Sequence, residues 1–568
     1  MYMSDLQTME ATATHTGPLC FQPTTPLNVD AWQQALADHP DQTFAQYILR
    51  GIQQGFHIGA DRSCLSLRPG PRNFPSARQH PMLVRGYIAD EVKQGRLLGP
   101  VPGHLAPLCH CSPIGIIPKP HQPGKWRLIV DLSSPGGHSV NDAISPQVAH
   151  MQYASVLDAA AMIRHLGPGT LMAKMDLQNA YRVLPVHADD HPLLAIKWDQ
   201  NTYLDTALPF GLRSAPKIFS AFADALAWIM HCNGVQQQLH YLDDFLFLGA
   251  PSNQECAAGL QTALQVCDRL GVPVANHKTE GPSTCLTFLG IQIDSVAMQL
   301  SLAPDKLARI QGLVLSWRSK RAASKQELQS LLGHLSHAAT VVQHGRTFMR
   351  RMFDLVKQVH RAHHHVRLSQ EFRSDLQWWA TFLPQWNGKS ILRLPEPQHM
   401  VTADASGSWG CGAFGSHGQW FQLQWPESWA KHHIAAKELV PVVMAIALWG
   451  AQWSATTVLI RSDNAAVVAA LTAGSAKDAL LMHLLRCLHF FLAYFDIQLV
   501  ARHLAGTDNV AADALSRDNL NLFFRCQPQA EPSPSPLPSA LKELLLLRLP
   551  DWLSPTWRAL FLDILHRQ

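Results

Sequence analysis

The stretch Tyr241-Leu242-Asp243-Asp244-Phe245 sets two adjacent carboxylates between apolar runs, and a lone acid stands upstream in Met175-Asp176-Leu177. Two acids at a hairpin tip, facing a third at the end of a neighbouring strand, can hold a pair of divalent cations. Such a pair serves in-line phosphoryl transfer, because it stabilises the attacking and leaving oxygens together. A bare Asp-Asp is common in solvated turns, so the segments around it must carry the reading. A second set of acids lies further on. Asp404 sits where Val401-Thr-Ala runs into a turn, and Glu438 lies near the start of a helix expected over 435–449. Asp463 follows a strand expected over 458–461, and Asp513 lies in Asn509-Val-Ala-Ala-Asp-Ala-Leu-Ser-Arg517. Four acids at strand ends and in first helical turns meet the needs of a second two-cation site. The order strand-strand-strand-helix-strand-helix supports taking them as a set.

Elements to position the first set are legible around it. Ser112-Pro-Ile-Gly-Ile-Ile-Pro-Lys119, followed by Gly124-Lys-Trp-Arg127-Leu-Ile-Val-Asp131, reads as a two-stranded flap. Its Lys119, Lys125 and Arg127 can neutralise a triphosphate. Asp176 is expected to end a strand begun at Leu171, with Tyr181 beside it as a flat wall. Leu208-Pro-Phe-Gly-Leu-Arg-Ser-Ala-Pro216 leads into a helix that Ser214 is expected to cap, with Pro216 in its first turn. That helix places Ile218, Phe219, Phe222, Leu226 and Ile229 on one face. Upstream, 32–55 reads as one helix, with Leu36, Phe44, Tyr47, Ile48 and Ile52 at helical spacing. Between 306 and 373, 13 Lys/Arg stand against three Asp/Glu, a basic helical region able to track a phosphate backbone.

With 568 residues, the chain is too long for a single core. Its 47% hydrophobic and 15% charged residues suit a soluble globular protein, and a net charge of +4 does not by itself argue for nucleic acid. Eleven Cys without a Cys-x-x-Cys pair point to reduced thiols and an intracellular setting, cytoplasmic or nuclear. Cys109-His110-Cys111 is too tight for a zinc site and reads as structural, and His363-His364-His365 reads as surface. The N-terminus has no basic-then-apolar signal pattern. The charge-free 439–460 is interrupted by Pro441, Gln452 and Ser454, so it reads as a buried helix running into a buried strand rather than a membrane span.

Four words, Lys125-Trp-Arg-Leu-Ile-Val-Asp-Leu132, Met175-Asp-Leu-Gln-Asn-Ala-Tyr-Arg182, Leu208-Pro-Phe-Gly-Leu-Arg-Ser-Ala-Pro216 and Tyr241-Leu-Asp-Asp244, resemble in order and spacing the reverse transcriptases of retroelements. The resemblance runs from about Trp32 to Trp557 and implies a multidomain α/β protein. A right-hand polymerase (fingers, palm, thumb/connection) would precede a ribonuclease H-like α/β domain. The implied parts are a partly helical extension over 1–80, fingers and palm over 81–295, and a basic helical thumb/connection over 296–397. The ribonuclease H domain would cover 398–517, and a Pro-rich linker with a helical tail 518–568.

On that template Asp176 and Asp243 are the principal metal ligands and Asp244 the third acid. Tyr181 screens the sugar 2′ position, Phe210 packs near the incoming nucleotide, and Lys119, Lys125 and Arg127 face its phosphates. Segments 271–280 and 288–294 resemble the later palm and the primer-gripping hairpin. The ribonuclease H carboxylates map onto Asp404, Glu438, Asp463 and Asp513. One departure stands out: only His503 is available where many relatives carry a mobile His in a longer loop. The stretch between Asp463 and the helix ending near Phe495 also looks too short for an extra basic helix.

The resemblance implies RNA- and DNA-directed DNA polymerisation with hydrolysis of the RNA strand in hybrids. Two Mg²⁺ (or Mn²⁺) ions would serve each site, with RNA template, DNA primer, RNA–DNA hybrid and dNTPs as partners and no membrane. Gly95-Arg-Leu-Leu-Gly-Pro100, Asp131-Leu-Ser-Ser-Pro135, Ser139-Val-Asn-Asp142 and Pro550-Asp-Trp552 resemble DIRS-like retrotransposons. Those elements pair such an enzyme with a tyrosine recombinase, encoded separately or downstream, and a nucleocapsid-like protein would also be expected. A gypsy-like LTR element is the runner-up, since neither a protease motif before the polymerase nor a zinc cluster or acidic triad after the nuclease is present. Two other classes compete: a catalytically silent nucleic-acid-binding relic, which loss of an acid would favour, and a telomerase-like polymerase, which a tethered nuclease disfavours.

Overall fold

A computed structural model describes residues 24–65, 70–119, 124–149, 151–251, 253–359, 361, 363–388, 390–391, 396–539 and 541–542. The expected flap turn at 121–123 and helical tail beyond 542 lie outside the described residues. The chain divides into two compact units, residues 1–289 and 290–568.

In the first unit, the segment expected as one helix forms two, α1 (Val29–Leu36) and α2 (Gln42–Gln54). Pro40 is the reason: it lacks the N–H a helix interior needs and disfavours helical backbone at His39. Asp41 restarts the helix by accepting from the Phe44 N–H at 2.9 Å. Leu36, Phe44, Tyr47, Ile48 and Ile52 are all buried, in the same core as Met175, Phe219, Phe222 and Phe245. The N-terminal helices pack against the helices Ala215–Cys232 and Glu255–Leu270, within the core that the acid-bearing strands share.

Helix α3 spans Pro81–Lys93, and the flap is an antiparallel hairpin of β1 (Ile114–Pro118) and β2 (Trp126–Val130). Strands β3 (Leu171–Asp176), β5 (Gln238–Tyr241), β6 (Asp244–Gly249) and β7 (Glu280–Ser283) form a sheet ordered β7-β3-β6-β5, while β4 (Asn201–Asp205) belongs to another sheet. Helix α4 (Ala215–Cys232) buries Ile218, Phe219, Phe222, Leu226 and Ile229, the face its periodicity predicts. Ser214 sits just before it with Pro216 in the first turn, but its hydroxyl makes no cap bond. The cause is local: Ser214 already has helical dihedrals (φ −86°, ψ −17°), not the extended ones a capping side chain requires.

After a short antiparallel pair, Ile291–Asp294 with Gln299–Leu302, the second unit runs through helices α5 (Pro304–Trp317), α6 (Lys325–Ala338), α7 (Arg350–Lys357) and α8 (Gln370–Trp386) across the basic region. A five-stranded sheet follows, ordered β10-β9-β8-β11-β12. Its strands are β8 (His399–Ala405), β9 (Gly410–Gly415), β10 (Trp420–Gln424), β11 (Thr457–Ser462) and β12 (Gln498–His503). The first three pair antiparallel, whereas β8-β11 and β11-β12 are parallel. Helices α9 (Ile434–Trp449), α10 (Ala465–Ala473), α11 (Ala479–Phe495), α12 (Val510–Ser516) and α13 (Leu520–Cys526) complete it.

The charge-free 439–460 is a buried helix followed by a buried strand, and no helix among the described residues is long and apolar enough to cross a membrane. The Pro/Ser stretch expected to be a linker is docked instead. The Ser535 N–H donates to the Trp420 carbonyl at 2.7 Å, and the Trp449 indole donates to Ser535 Oγ at 3.1 Å. Strand β10 is an edge, so its free backbone groups are open to pairing with a passing extended segment. All described cysteines are free, and burial pushes the Cys109 thiol up to about 11, as suits a structural residue.

Candidate active sites

The first acids are assembled by strand register. Asp176, last in β3, lies directly opposite Asp244, first in β6. Tyr241 pairs with Asp244, leaving Leu242-Asp243 as a two-residue hairpin loop. Leu242 takes φ +54°, a left-handed conformation costing a non-glycine residue roughly 1–2 kcal/mol. That turn directs Asp243 back over β3, and its carbonyl accepts from the Leu177 N–H at 3.0 Å. Burial and the neighbouring Asp243 and Asp176 charges push Asp244 up to about 6; burial also raises Asp243. The three carboxylates therefore crowd like charge into a half-buried strand end.

Lys278, which the sequence did not single out, lies at the site. Its Nζ is 2.9 Å from both Asp176 carboxylate oxygens. The ammonium stands where a cation would neutralise the acid. Asn276-His277-Lys278 is a short 3₁₀ turn that the Ala275 N–H ties to the Asp176 carbonyl at 2.9 Å. No spacing pattern points to it; only the fold brings it to the strand end.

Tyr181 sits in the 3₁₀ turn Ala180–Val183, its ring 5.2 Å from those of Phe210 and Phe219. Burial, then Tyr153, Asp243 and Tyr241, push its phenol up to about 12. Phe210 is 56% exposed, so it presents a face to solvent beside the acids' wall. Lys125 and Arg127 are exposed on the flap and Lys119 is half-buried. None of the ion pairs among the described residues joins them to the acids.

In the second unit Asp404 ends β8, Glu438 lies in the second turn of α9, and Asp463 follows β11. One oxygen from each falls within 4.8 Å of the others. Burial first, then the other acids, push Asp404 up to about 6 and Glu438 up to about 9. Glu438 Oε2 is buried without a hydrogen-bond partner. Asp513 is not in this tight group: it is half-exposed in α12 and paired with Arg517 at 2.6 Å. Asn509, unremarked in the sequence, is buried and donates to Asp404 Oδ1 at 3.1 Å. The His503 ring lies 2.9 Å from the Asp463 carbonyl, which puts it at the rim of the site.

Both clusters suit hard divalent cations, which take carboxylate oxygens and keep several waters. The tendency of Glu438 and Asp244 to hold a proton and the orphaned Oε2 mark where such an ion would take the proton's place.

Residues 117–293 match the family model described as reverse transcriptase (RNA-dependent DNA polymerase). That span holds Asp176, Tyr181, Phe210, Asp243, Asp244 and Lys278. The chain is 23% identical over 347 residues to the Pro-Pol polyprotein of Simian foamy virus type 1, covering 61% of this chain and 27% of that protein. The enzymatic polyprotein of Figwort mosaic virus (strain DxS) is 21% identical over 420 residues, with 70% and 56% covered. The Transposon Tf2-3 polyprotein of Schizosaccharomyces pombe is 22% identical over 251 residues, with 44% and 17% covered. Against these curated relatives, the chain spans from under a fifth to just over half of their length. Among solved structures, a foamy viral protease-reverse transcriptase in complex with RNA/DNA hybrid aligns with a TM-score of 0.46 at 17% identity, covering 86% of this chain and 64% of that one.

Proposed function

We propose that the first unit copies RNA, and then DNA, into DNA from deoxynucleoside triphosphates, and that the second cuts the RNA strand of the resulting hybrid. The observation that carries the polymerase reading is the pairing of Asp176 with Asp244 across β3 and β6, inside the segment matching the reverse transcriptase family. Asp176, Asp243 and Asp244 would hold one pair of Mg²⁺ ions. Asp404, Glu438 and Asp463 would hold another, with Asp513 closing on it. When bound, such ions stabilise the attacking and leaving oxygens of an in-line displacement. Tyr181 and Phe210 form the wall against which a nucleotide's sugar would be gauged. Lys119, Lys125 and Arg127 would neutralise its phosphates. The basic helices α5–α8 would track the duplex, each neutralised phosphate steepening the salt dependence by about 0.9 in log–log slope. A DIRS-like retrotransposon is the element this reading favours, on the wording of segments such as Ser139-Val-Asn-Asp142.

Primer extension on a homopolymeric RNA template, with Mg²⁺ and Mn²⁺ compared, tests the first activity. Extension that depends on template, dNTP and divalent ion supports it. A folded protein inert with both ions would overturn it.

A further inference from the structure

Asn141, in a motif the two acid clusters leave unexplained, straps down the loop that carries Phe210. Its side chain is buried at 6% exposure. Its Nδ2 donates to the Gly211 carbonyl at 2.9 Å and to Ser133 Oγ at 2.9 Å, and its Oδ1 accepts from the Arg213 N–H at 2.7 Å. The amide therefore pairs with the backbone on both sides of Leu212, as a neighbouring strand would. Both of its N–H donors and its oxygen are used, so the site is specific for an amide. The strap is reciprocal, since Arg213 Nη1 donates back to the Ile144 carbonyl at 2.6 Å. Asn141 is itself fixed: its N–H donates to the Leu132 carbonyl at 3.0 Å. Next to it, Asp142 accepts from the Gly137 N–H at 2.7 Å and from Ser139 Oγ at 2.6 Å. Gly211 needs this restraint, for it has φ +90° and so no side chain to lock its conformation. Phe210, one residue before it, is held on its other side only by the Tyr181 ring among the described ring contacts.

We propose that Asn141 is a positioning residue that fixes Phe210, and through it Tyr181, and so sets how closely the sugar of an incoming nucleotide is gauged. The inference rests on the polymerase reading above. A loop cut loose at 211–213 lets Phe210 swing away from Tyr181, which loosens nucleotide binding and discrimination without touching the carboxylates.

The test is steady-state incorporation by the full chain, with dNTP and rNTP compared. Loss of two neutral hydrogen bonds is worth about tenfold. Asn141→Ala should therefore raise the dNTP KM about tenfold and lower dNTP-over-rNTP discrimination by a similar factor, leaving kcat within about twofold. In a Phe210→Ala background the same substitution should add almost nothing, because Asn141 acts through that ring. Should Asn141→Ala fail to fold, the isosteric Asn141→Asp carries the test, since it keeps the bond from the Arg213 N–H and loses the one to Gly211. Unchanged KM and discrimination in a folded variant, or full additivity with Phe210→Ala, would overturn the inference. If the unaltered chain incorporates nothing, it is the polymerase reading that fails.

Discussion

In the first unit the strand-end acid Asp176 is gripped by the Lys278 ammonium, whereas in the second unit Glu438 faces Asp404 and Asp463 with no cation paired to the trio among the described residues, Arg517 beside them being spent on Asp513. Lys437 is next in sequence to Glu438, yet its Nζ is used on the Gly407 carbonyl at 2.6 Å. Buried titratable groups also lie away from the acid clusters in both units. The buried Arg182 of the first unit bonds Asp205 at 2.6 Å and Glu91 at 2.8 Å, tying the Tyr181 turn to β4 and α3. In the second unit, His344 and His489 meet Nδ1 to Nδ1 at 3.0 Å, with no ion pair to either among the described residues. The first acid cluster carries its own counter-charge, and the second must borrow a cation, although elsewhere in the second unit buried charge is paired, as where Arg351 and Arg486 flank Asp375.

The widest separation between the two regions should be functional. Asp243→Asn with Asp244→Asn is expected to cut nucleotide incorporation by more than about a hundredfold, since both acids would hold the ion pair. Hybrid cleavage by the same protein should persist. Asp463→Asn should do the reverse. Loss of both activities from either folded variant, assayed on one RNA–DNA substrate, would refute two independent sites.

Counter-charge in the first unit sets the next effect. Arg182→Met leaves Glu91 and Asp205 buried beside Arg96 alone, and breaking a buried pair costs about 3–5 kcal/mol. The melting temperature of the first unit should fall accordingly. Glu438→Gln, which removes an acid that has no partner charge, should leave the metal-free second unit at least as stable as before. It should also blunt the stabilisation that added Mg²⁺ gives that unit. Scanning calorimetry with and without chelator decides both; equal losses from the two substitutions would erase the contrast.

The histidine pair gives a smaller, pH-dependent effect. Burial lowers His489 to about 4 and His344 well below its ordinary value. The unfolded chain takes up these protons near pH 6.5, before the folded unit does. Stability present above that pH is therefore lost as pH falls toward 4, by about 3 kcal/mol for His489. Denaturant unfolding at pH 7 and pH 4.5 should show the loss, and His489→Gln should shrink it. An unaltered slope would mean that the pair does not govern acid stability.

The sequence exposed those features that short words or simple periods encode. Asp176, Asp243 and Asp244 stood out because strand patterns flank them, and the buried face of α4 followed from its 3.6-residue spacing. Lys278 did not, since a single lysine in a 3₁₀ turn has no period, and only the approach of that turn to β3 gives it a role. Asp513 was grouped with its three neighbours by order along the chain, but its pairing with Arg517 one helical turn away depends on side-chain geometry. The Pro/Ser stretch reads as a linker because its composition forms no core of its own; the open edge of β10 is what receives it. In the sequence Asn141 stands only as part of a subfamily word, because its partners at Gly211 and Arg213 lie some seventy residues away along the chain.

The finest probe of the contrast is Lys278 itself. Its side chain is 54% exposed, so its pair with Asp176 is worth only about 0–1 kcal/mol, and Lys278→Met should barely move the melting temperature. The informative readout is metal dependence. The ammonium occupies both Asp176 oxygens, and an ion binding there must displace it. Without that competitor, the Mg²⁺ concentration giving half-maximal primer extension should fall by about two- to threefold. No such shift is expected for hybrid cleavage, because Lys278 is not among the groups at the second cluster, whose three carboxylates hold no paired cation among the described residues. A higher Mg²⁺ requirement in Lys278→Met would show that the lysine helps build the ion site instead of standing in for the ion.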